Sequence, residues 1–153
     1  MPKGKLVSIY ITPKTGQPMV AVGQAQANAG LGLEGDRYAV KTGRYSDKPG
    51  TGRQVTLIEL EAIEALNQED NLGLAPGQTR RNLLTQGVPL NHLVGKEFRV
   101  GSITLRGVRL CEPCDYLAGL TRSEVLPGLV HRGGLRADIL SDGLIQSGDD
   151  IEW

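Results

Sequence analysis

Two cysteines, Cys111 and Cys114, are the residues best able to do chemistry in this chain, and they are its only ones, spaced C-x-x-C in Arg109-Leu110-Cys111-Glu112-Pro113-Cys114-Asp115. A thiolate is both a nucleophile and a soft metal ligand, and nearby cations or a helix N-terminus lower the pKa of its thiol. Arg109 supplies one positive charge, while Glu112 and Asp115 oppose it, so the pattern alone leaves the reactivity of either sulfur open. The pair follows an apolar stretch that reads as a strand, and Pro113 stands where the chain would turn away from a sheet. Strand ends of this kind are where functional groups collect. Two thiols can also cycle as a disulfide, which gives a dithiol redox protein as the alternative function.

The second group with chemical potential is cationic. Arg80-Arg81-Asn82 suits an oxyanion or phosphate, because guanidinium groups bind such groups through paired hydrogen bonds. Arg132-Gly133-Gly134 would let backbone approach a ligand closely, or simply make a tight turn. From Arg80 to Arg109 there are six basic residues against Glu97 alone, so a basic segment leads into the cysteines. His92, set among apolar neighbours, reads as a packed histidine rather than a ligand. His92 and His131 lack zinc-finger spacing. Gly30, Gly32 and Gly35 form a loose G-x-G-x-x-G, but no helix pattern follows to receive a pyrophosphate.

The elements that must position these residues are mostly short strands. Leu6 to Ile11 alternates, with Val7, Ile9 and Ile11 on one face, and Met19 to Ala27 can pair with it. Thr42 to Gly52 reads as a surface loop, and Arg53 to Ile58 as a strand. Thr56 and Glu59 form a T-x-x-E box, which predicts a helix capped by Thr56 and beginning just after it, running through Leu60, Ile63 and Leu66 and ending near residues 71–73. Gln78 to Leu84 reads as a strand after the Pro76-Gly77 turn, and Glu97 to Leu105 as a hairpin around Gly101-Ser102. Beyond it the apolar parity slips from odd (Ile103, Leu105) to even (Val108, Leu110), which predicts a β-bulge at Gly107. A second T-x-x-E box, Thr121 to Glu124, predicts a short helix, and Asp142-Gly143 predicts a closing hairpin.

Length and composition bound the rest. The 153 residues form one domain, residues 1–153, and the 21 glycines, about twice the usual share, demand many turns. The balance of 17 basic and 17 acidic residues argues against a nucleic-acid partner. The longest uncharged stretch, Thr15 to Leu33, carries too many glycines and amides to be a membrane span. The opening residues show no apolar run of signal-peptide length, so a cytoplasmic location is expected. In a reducing compartment a cysteine pair is catalytic, redox or metal-binding before it is a structural staple. Short strands with one or two short helices indicate a mainly β protein, an antiparallel or mixed β-barrel.

The ordered set Gly35-Asp36-Arg37, Arg53-Gln54-Val55-Thr56, Arg80-Arg81-Asn82-Leu83, residues 95–101, Arg109 with Cys111 and Cys114, Arg132-Gly133-Gly134 and residues 143–149 resembles the MOSC domain. That family is named for the C-terminal domain of molybdenum cofactor sulfurases, and it includes small stand-alone bacterial proteins. The resemblance implies a β-barrel that binds the molybdopterin form of the molybdenum cofactor, or carries sulfur as a persulfide, through an essential cysteine. Cys114, after Pro113, matches that cysteine as catalytic group and molybdenum ligand, and Cys111 matches a less constant position. Arg53, Arg80, Arg81, Asn82, Arg132 and Gly133 are the expected cofactor-binding residues, since an anionic pterin phosphate suits them. Neither the pyridoxal-phosphate-dependent desulfurase domain nor the N-terminal β-barrel of larger members is expected within these 153 residues. Sulfur would then come from a cysteine desulfurase or other sulfur donor, and a reductive role would need a redox partner.

Overall fold

The computed structural model describes residues 2–14, 16–39, 52–70, 73–111 and 131–153. Cys114, the predicted Thr121–Glu124 helix start and most of the predicted 42–52 loop lie outside them. Seven strands close into a barrel in the order β1, β11, β7, β8, β9, β5, β6 and back to β1. Their spans are β1 Lys3–Ile11, β5 Val55–Glu59, β6 Leu83–Gln86, β7 Glu97–Val100, β8 Ile103–Leu110, β9 Leu135–Ile139 and β11 Asp150–Glu152. Every pairing in the ring is antiparallel except β5 with β6, whose connection is the helix α1, Leu60–Asp70. Parallel neighbours require such a crossover. Strand β2 (Val20–Val22) pairs with β1 outside the ring, and β3 (Gln24–Asn28), β4 (Gly32–Leu33) and β10 (Gly143–Gln146) form a small second sheet.

The barrel interior is aliphatic. Leu6, Ile9, Val55, Leu57, Leu83, Val100, Ile103, Leu105, Leu135, Ala137 and Ile151 fill it with Phe98, and Ala25, Ala27, Leu33 and Ile145 of the small sheet join the same cluster. A second cluster lies outside the wall, where Ile63 and Leu66 of α1 pack on Ile58, Leu84 and Leu74. This double coverage explains why Val55, Thr56, Leu57 and Ile58 are all buried, the continuous pattern of a strand covered on both faces.

Several sequence expectations change against this architecture. Thr56 does not cap a helix. It lies inside β5, and α1 begins at Leu60, because the β-branched run through Ile58 favours a strand and Thr56 Oγ1 binds Asn82 instead of a helical amide. In β1 a register shift between Leu6 and Ser8 turns Val7 outward against the helix cluster while Leu6, Ile9 and Ile11 face the core. Gln78 to Leu84 is only partly strand. Pro76–Thr79 forms a 3-10 turn, and β6 starts at Leu83. The Asp142-Gly143 turn does not fold β10 onto β9, since β10 pairs with β3. His92 is exposed, on a second 3-10 turn (Leu90–Leu93) whose Leu90 and Leu93 point inward. The bulge predicted at Gly107 is present, as a register shift between Gly107 and Arg109.

Candidate functional site

The part of the barrel wall around Leu57 of β5, where β8 finishes and β6 and β9 begin, gathers several of the residues singled out from the sequence. Cys111 follows β8 directly, and its sulfur is a buried free thiol, with the residue 2% exposed. Its amide N–H donates to the Gly134 carbonyl at 2.7 Å, which ties the end of β8 to the chain entering β9. Gly134 is required there. Its φ is +110°, and a Cβ would sit 1.9 Å from the Leu57 carbonyl oxygen.

Arg81 organises this junction. Its Nε donates to the Gly133 carbonyl at 2.8 Å, Nη1 to Thr79 O at 3.1 Å and Nη2 to Cys111 O at 2.8 Å. One buried guanidinium thus holds three chain segments together through charge-assisted bonds. Asn82 is equally engaged. Its Oδ1 accepts from the Thr56 N–H at 3.0 Å, its Nδ2 donates to Tyr10 O at 3.1 Å, and its own N–H donates to Thr56 Oγ1, bridging β1 and β5.

Arg80 is different. It has φ +63°, a left-handed conformation that costs a non-glycine residue about 1–3 kcal/mol. One contact to its backbone carbonyl and one from its side chain hold it there. Arg37 Nη2 donates to the Arg80 carbonyl at 3.0 Å, and Arg80 Nη1 donates to Gln17 O at 2.6 Å. Arg37 is itself fixed by buried Asp36, whose Oδ1 also accepts from the Thr12 N–H. The Arg80 side chain lines a cleft of about 480 Å³ with Tyr10, Pro18, Met19, Ala21, Pro76, Gly77 and Gln78.

On the outer face of β8 and β9 stands a further arginine group. Leu135, Ala137 and Ile139 face the core, so Arg136 and Asp138 face out. Arg109 is the direct cross-strand partner of Arg136. The bulge produces this pairing: without the extra residue Arg109 would share the inward parity of Ile103, Leu105 and Gly107. Arg53, two residues before β5, completes the group, and its Nε is buried without a hydrogen-bond partner. Burial, then the charges of Arg136 and Arg53, push the Arg109 pKa down, while Cys111 and Asp138 act in the opposite sense. Asp138 is buried and accepts from the Gly52 N–H at 2.7 Å.

Of the expected cofactor residues, Arg81 and Gly133 meet at Cys111, Asn82 ties the neighbouring β1 and β5 together, the charge of Arg53 bears on Arg109, and Arg80 lines the separate cleft. Arg132 stands apart on the surface, paired with Glu69 of α1 and holding that carboxyl below its usual range. Arg136 and Asp138 were missed as site residues. Their outward parity was legible from Leu135, Ala137 and Ile139, but the pairing of Arg136 with Arg109 follows only from the register. Among the described residues no group of three or more His, Cys, Asp and Glu could hold a metal ion. No helix among them is long and apolar enough to cross a membrane.

A closed barrel whose arginine-rich wall carries a cysteine matches the class the sequence resembles. The MOSC domain matches residues 44–152, most of the chain, and the protein belongs to that family, which is linked to molybdenum cofactor sulfurase-type binding. Among solved structures, the YuaD protein of Bacillus subtilis superposes with a TM-score of 0.83 at 18% identity, covering 98% of this chain and 94% of that one. YiiM of Geobacillus stearothermophilus gives 0.73 at 14% identity, covering 99% and 74%, and YiiM of Escherichia coli gives 0.65 at 20%, covering 97% and 68%. At these identities the likeness is one of fold. No curated protein matches the sequence.

The residues present suit the family's cofactor. A pterin is a flat heterocycle with polar edges and an anionic phosphate. The cleft offers Tyr10, Met19 and prolines as apolar walls with Gln78 and Arg80 as polar groups, and Arg53 brings a buried N–H without a protein acceptor.

Proposed function

We propose that this protein binds the molybdopterin form of the molybdenum cofactor at the arginine-bearing part of its barrel wall. Cys114 supplies the working sulfur, either as molybdenum ligand or as persulfide carrier. The observation that carries the reading is Arg80: a strained, left-handed arginine held by its carbonyl and its side chain at the wall of a 480 Å³ cleft, next in sequence to the guanidinium that anchors Cys111. Strain persists only where surroundings enforce it, and it concentrates at ligand sites. Arg80 and Gln78 would hold polar atoms of the pterin, with Tyr10 and Met19 against its ring. The bound group would supply a redox-active, sulfur-ligated metal centre. The chain's own part is to bind and orient it, with Arg81 fixing the backbone at Cys111 and Gly133.

The protein functions in the cytoplasm, where thiols stay reduced. Its sulfur comes from a cysteine desulfurase or another donor, and a redox partner serves the molybdenum-ligand version of the role. The test is metal and pterin analysis of protein purified from a host able to make the cofactor, with intact mass recorded. Molybdenum and pterin in stoichiometric amounts, or an added sulfur atom, support the reading. Protein that carries neither, but oxidises reversibly by loss of two hydrogens between Cys111 and Cys114, favours the dithiol alternative.

A further inference from the structure

Arg37 does not line the cleft, yet two of the residues that do are bonded to it. Its Nη1 donates to the thioether sulfur of Met19 at 3.4 Å, and its Nη2 to the Arg80 carbonyl at 3.0 Å. Met19 precedes β2 and Arg80 follows the Pro76–Thr79 turn, so one guanidinium joins segments far apart in sequence. That guanidinium is itself held firmly. Arg37 is buried, its Nη1 also donates to Asp36 Oδ1 at 3.1 Å, and its central carbon lies 4.5 Å from the centre of the Tyr38 ring, within cation–π range. Asp36 is fully buried, with Oδ1 accepting the Thr12 N–H and Oδ2 the Tyr38 N–H. A buried ion pair adds little net stability over apolar residues of similar volume, and its best-attested use is to specify one arrangement. What this pair specifies is the placing of Met19 relative to Arg80. Methionine is otherwise an adaptable side chain with a weakly accepting sulfur, so without the bond Met19 would sample several rotamers.

We infer that Arg37, fixed by Asp36, is a positioning residue for the cleft. It acts through Met19 and Arg80, holding an apolar and a polar contact for a flat ring in one relative arrangement. Its contribution to pterin binding rests on the function proposed above, whereas its hold on Met19 does not.

Met19 makes the two separable, because it is partly exposed and the only other methionine is Met1. Dilute hydrogen peroxide transfers one oxygen atom to a thioether, leaving a sulfoxide and water. The experiment compares wild type, Arg37→Lys and Asp36→Asn, each well below its Tm, for the rate of Met19 oxidation by peptide mass and for pterin retained from a cofactor-making host. Lysine keeps a cation beside Asp36, but its single nitrogen lacks the fork that reaches both Met19 and the Arg80 carbonyl. Asparagine keeps the shape of Asp36 and removes its charge. Met19 should oxidise roughly fivefold faster in Arg37→Lys, the worth of one hydrogen bond, and faster by a smaller factor in Asp36→Asn. Retained pterin should fall at least roughly fivefold in Arg37→Lys. The same substitution on a Met19→Leu background, which has no sulfur to hold, should cost less. An unchanged oxidation rate in whichever of the two variants folds would overturn the inference. Pterin losses that simply add on the Met19→Leu background would reduce Arg37 to a structural residue. A wild type that retains no pterin, with Met19 oxidation accelerated in Arg37→Lys, keeps the hold on Met19 and removes the cofactor reading.

Discussion

Arg81 and Arg109 both lie next to Cys111, yet they have opposite environments. Arg81 is enclosed by backbone carbonyls of Gly133, Thr79 and Cys111, whereas Arg109 faces Arg136 across the sheet and has its pKa depressed by burial and by like charge. The first is a strut, part of the barrel's closure. The second lies where the bulge sets two like charges opposite each other across the sheet. Arginine clusters in a sequence thus mix two kinds of residue, and only the acceptors around each guanidinium separate them.

The largest effect should come from breaking the strut. Arg81→Met removes the donors of three buried carbonyls, each worth about 1–3 kcal/mol when left unsatisfied, so chemical denaturation should show a loss above roughly 3 kcal/mol. A loss under about 1 kcal/mol would place Arg81 with the ligand-directed arginines instead. Asn82→Ala strips Thr56 N–H and Tyr10 O of their partners and should cost about 2–3 kcal/mol by the same measurement.

Arg80 sharpens the comparison because it has something of both. Replacing it by glycine relieves left-handed strain while losing the bond to Gln17, so stability should shift by less than about 1 kcal/mol. Retained pterin, measured after gel filtration, should nevertheless fall at least roughly tenfold. Equal retention by wild type and Arg80→Gly would remove the cleft from the site.

The smallest effect belongs to the far end of β5. Burial pushes the Glu59 pKa above 4.5, with Glu61 adding to the shift and a Leu90 backbone hydrogen bond and His92 opposing it. A folded-state pKa raised in this way contributes stability that is fully present below the unfolded value and lost as pH rises through the folded one. Glu59→Gln should therefore stabilise the protein slightly at pH 7 and flatten that part of the stability–pH curve. An unchanged curve would show that Glu59 is solvated as a normal carboxylate.

Local patterns in the sequence were legible where one constraint dominated. The parity slip after Leu105 located the bulge at Gly107, because an inward and an outward face cannot both be kept without an extra residue. Patterns with two possible partners misled. Thr56 could serve a helix cap or Asn82, and the long-range bond to Asn82 prevailed; Asp142-Gly143 could close a hairpin, but β10 is drawn to Ala25 and Ala27 of β3. Arg80 and Arg81 read as one motif, although the left-handed turn at Arg80 sends the two guanidiniums to different tasks. Arg109 with Arg136 was invisible, since cross-strand register across a barrel leaves no trace in local spacing.

The most direct test of the proposed function compares Cys114→Ser with Cys111→Ser in a cofactor-making host, each assayed for bound molybdenum and for a persulfide adduct. Cys111 is enclosed beneath the Gly134 and Arg81 contacts, and its replacement should leave most of the bound metal or sulfur in place. Cys114→Ser should abolish both signals. Loss confined to Cys111→Ser, or no loss in either variant, would contradict the assignment of Cys114 as the working sulfur.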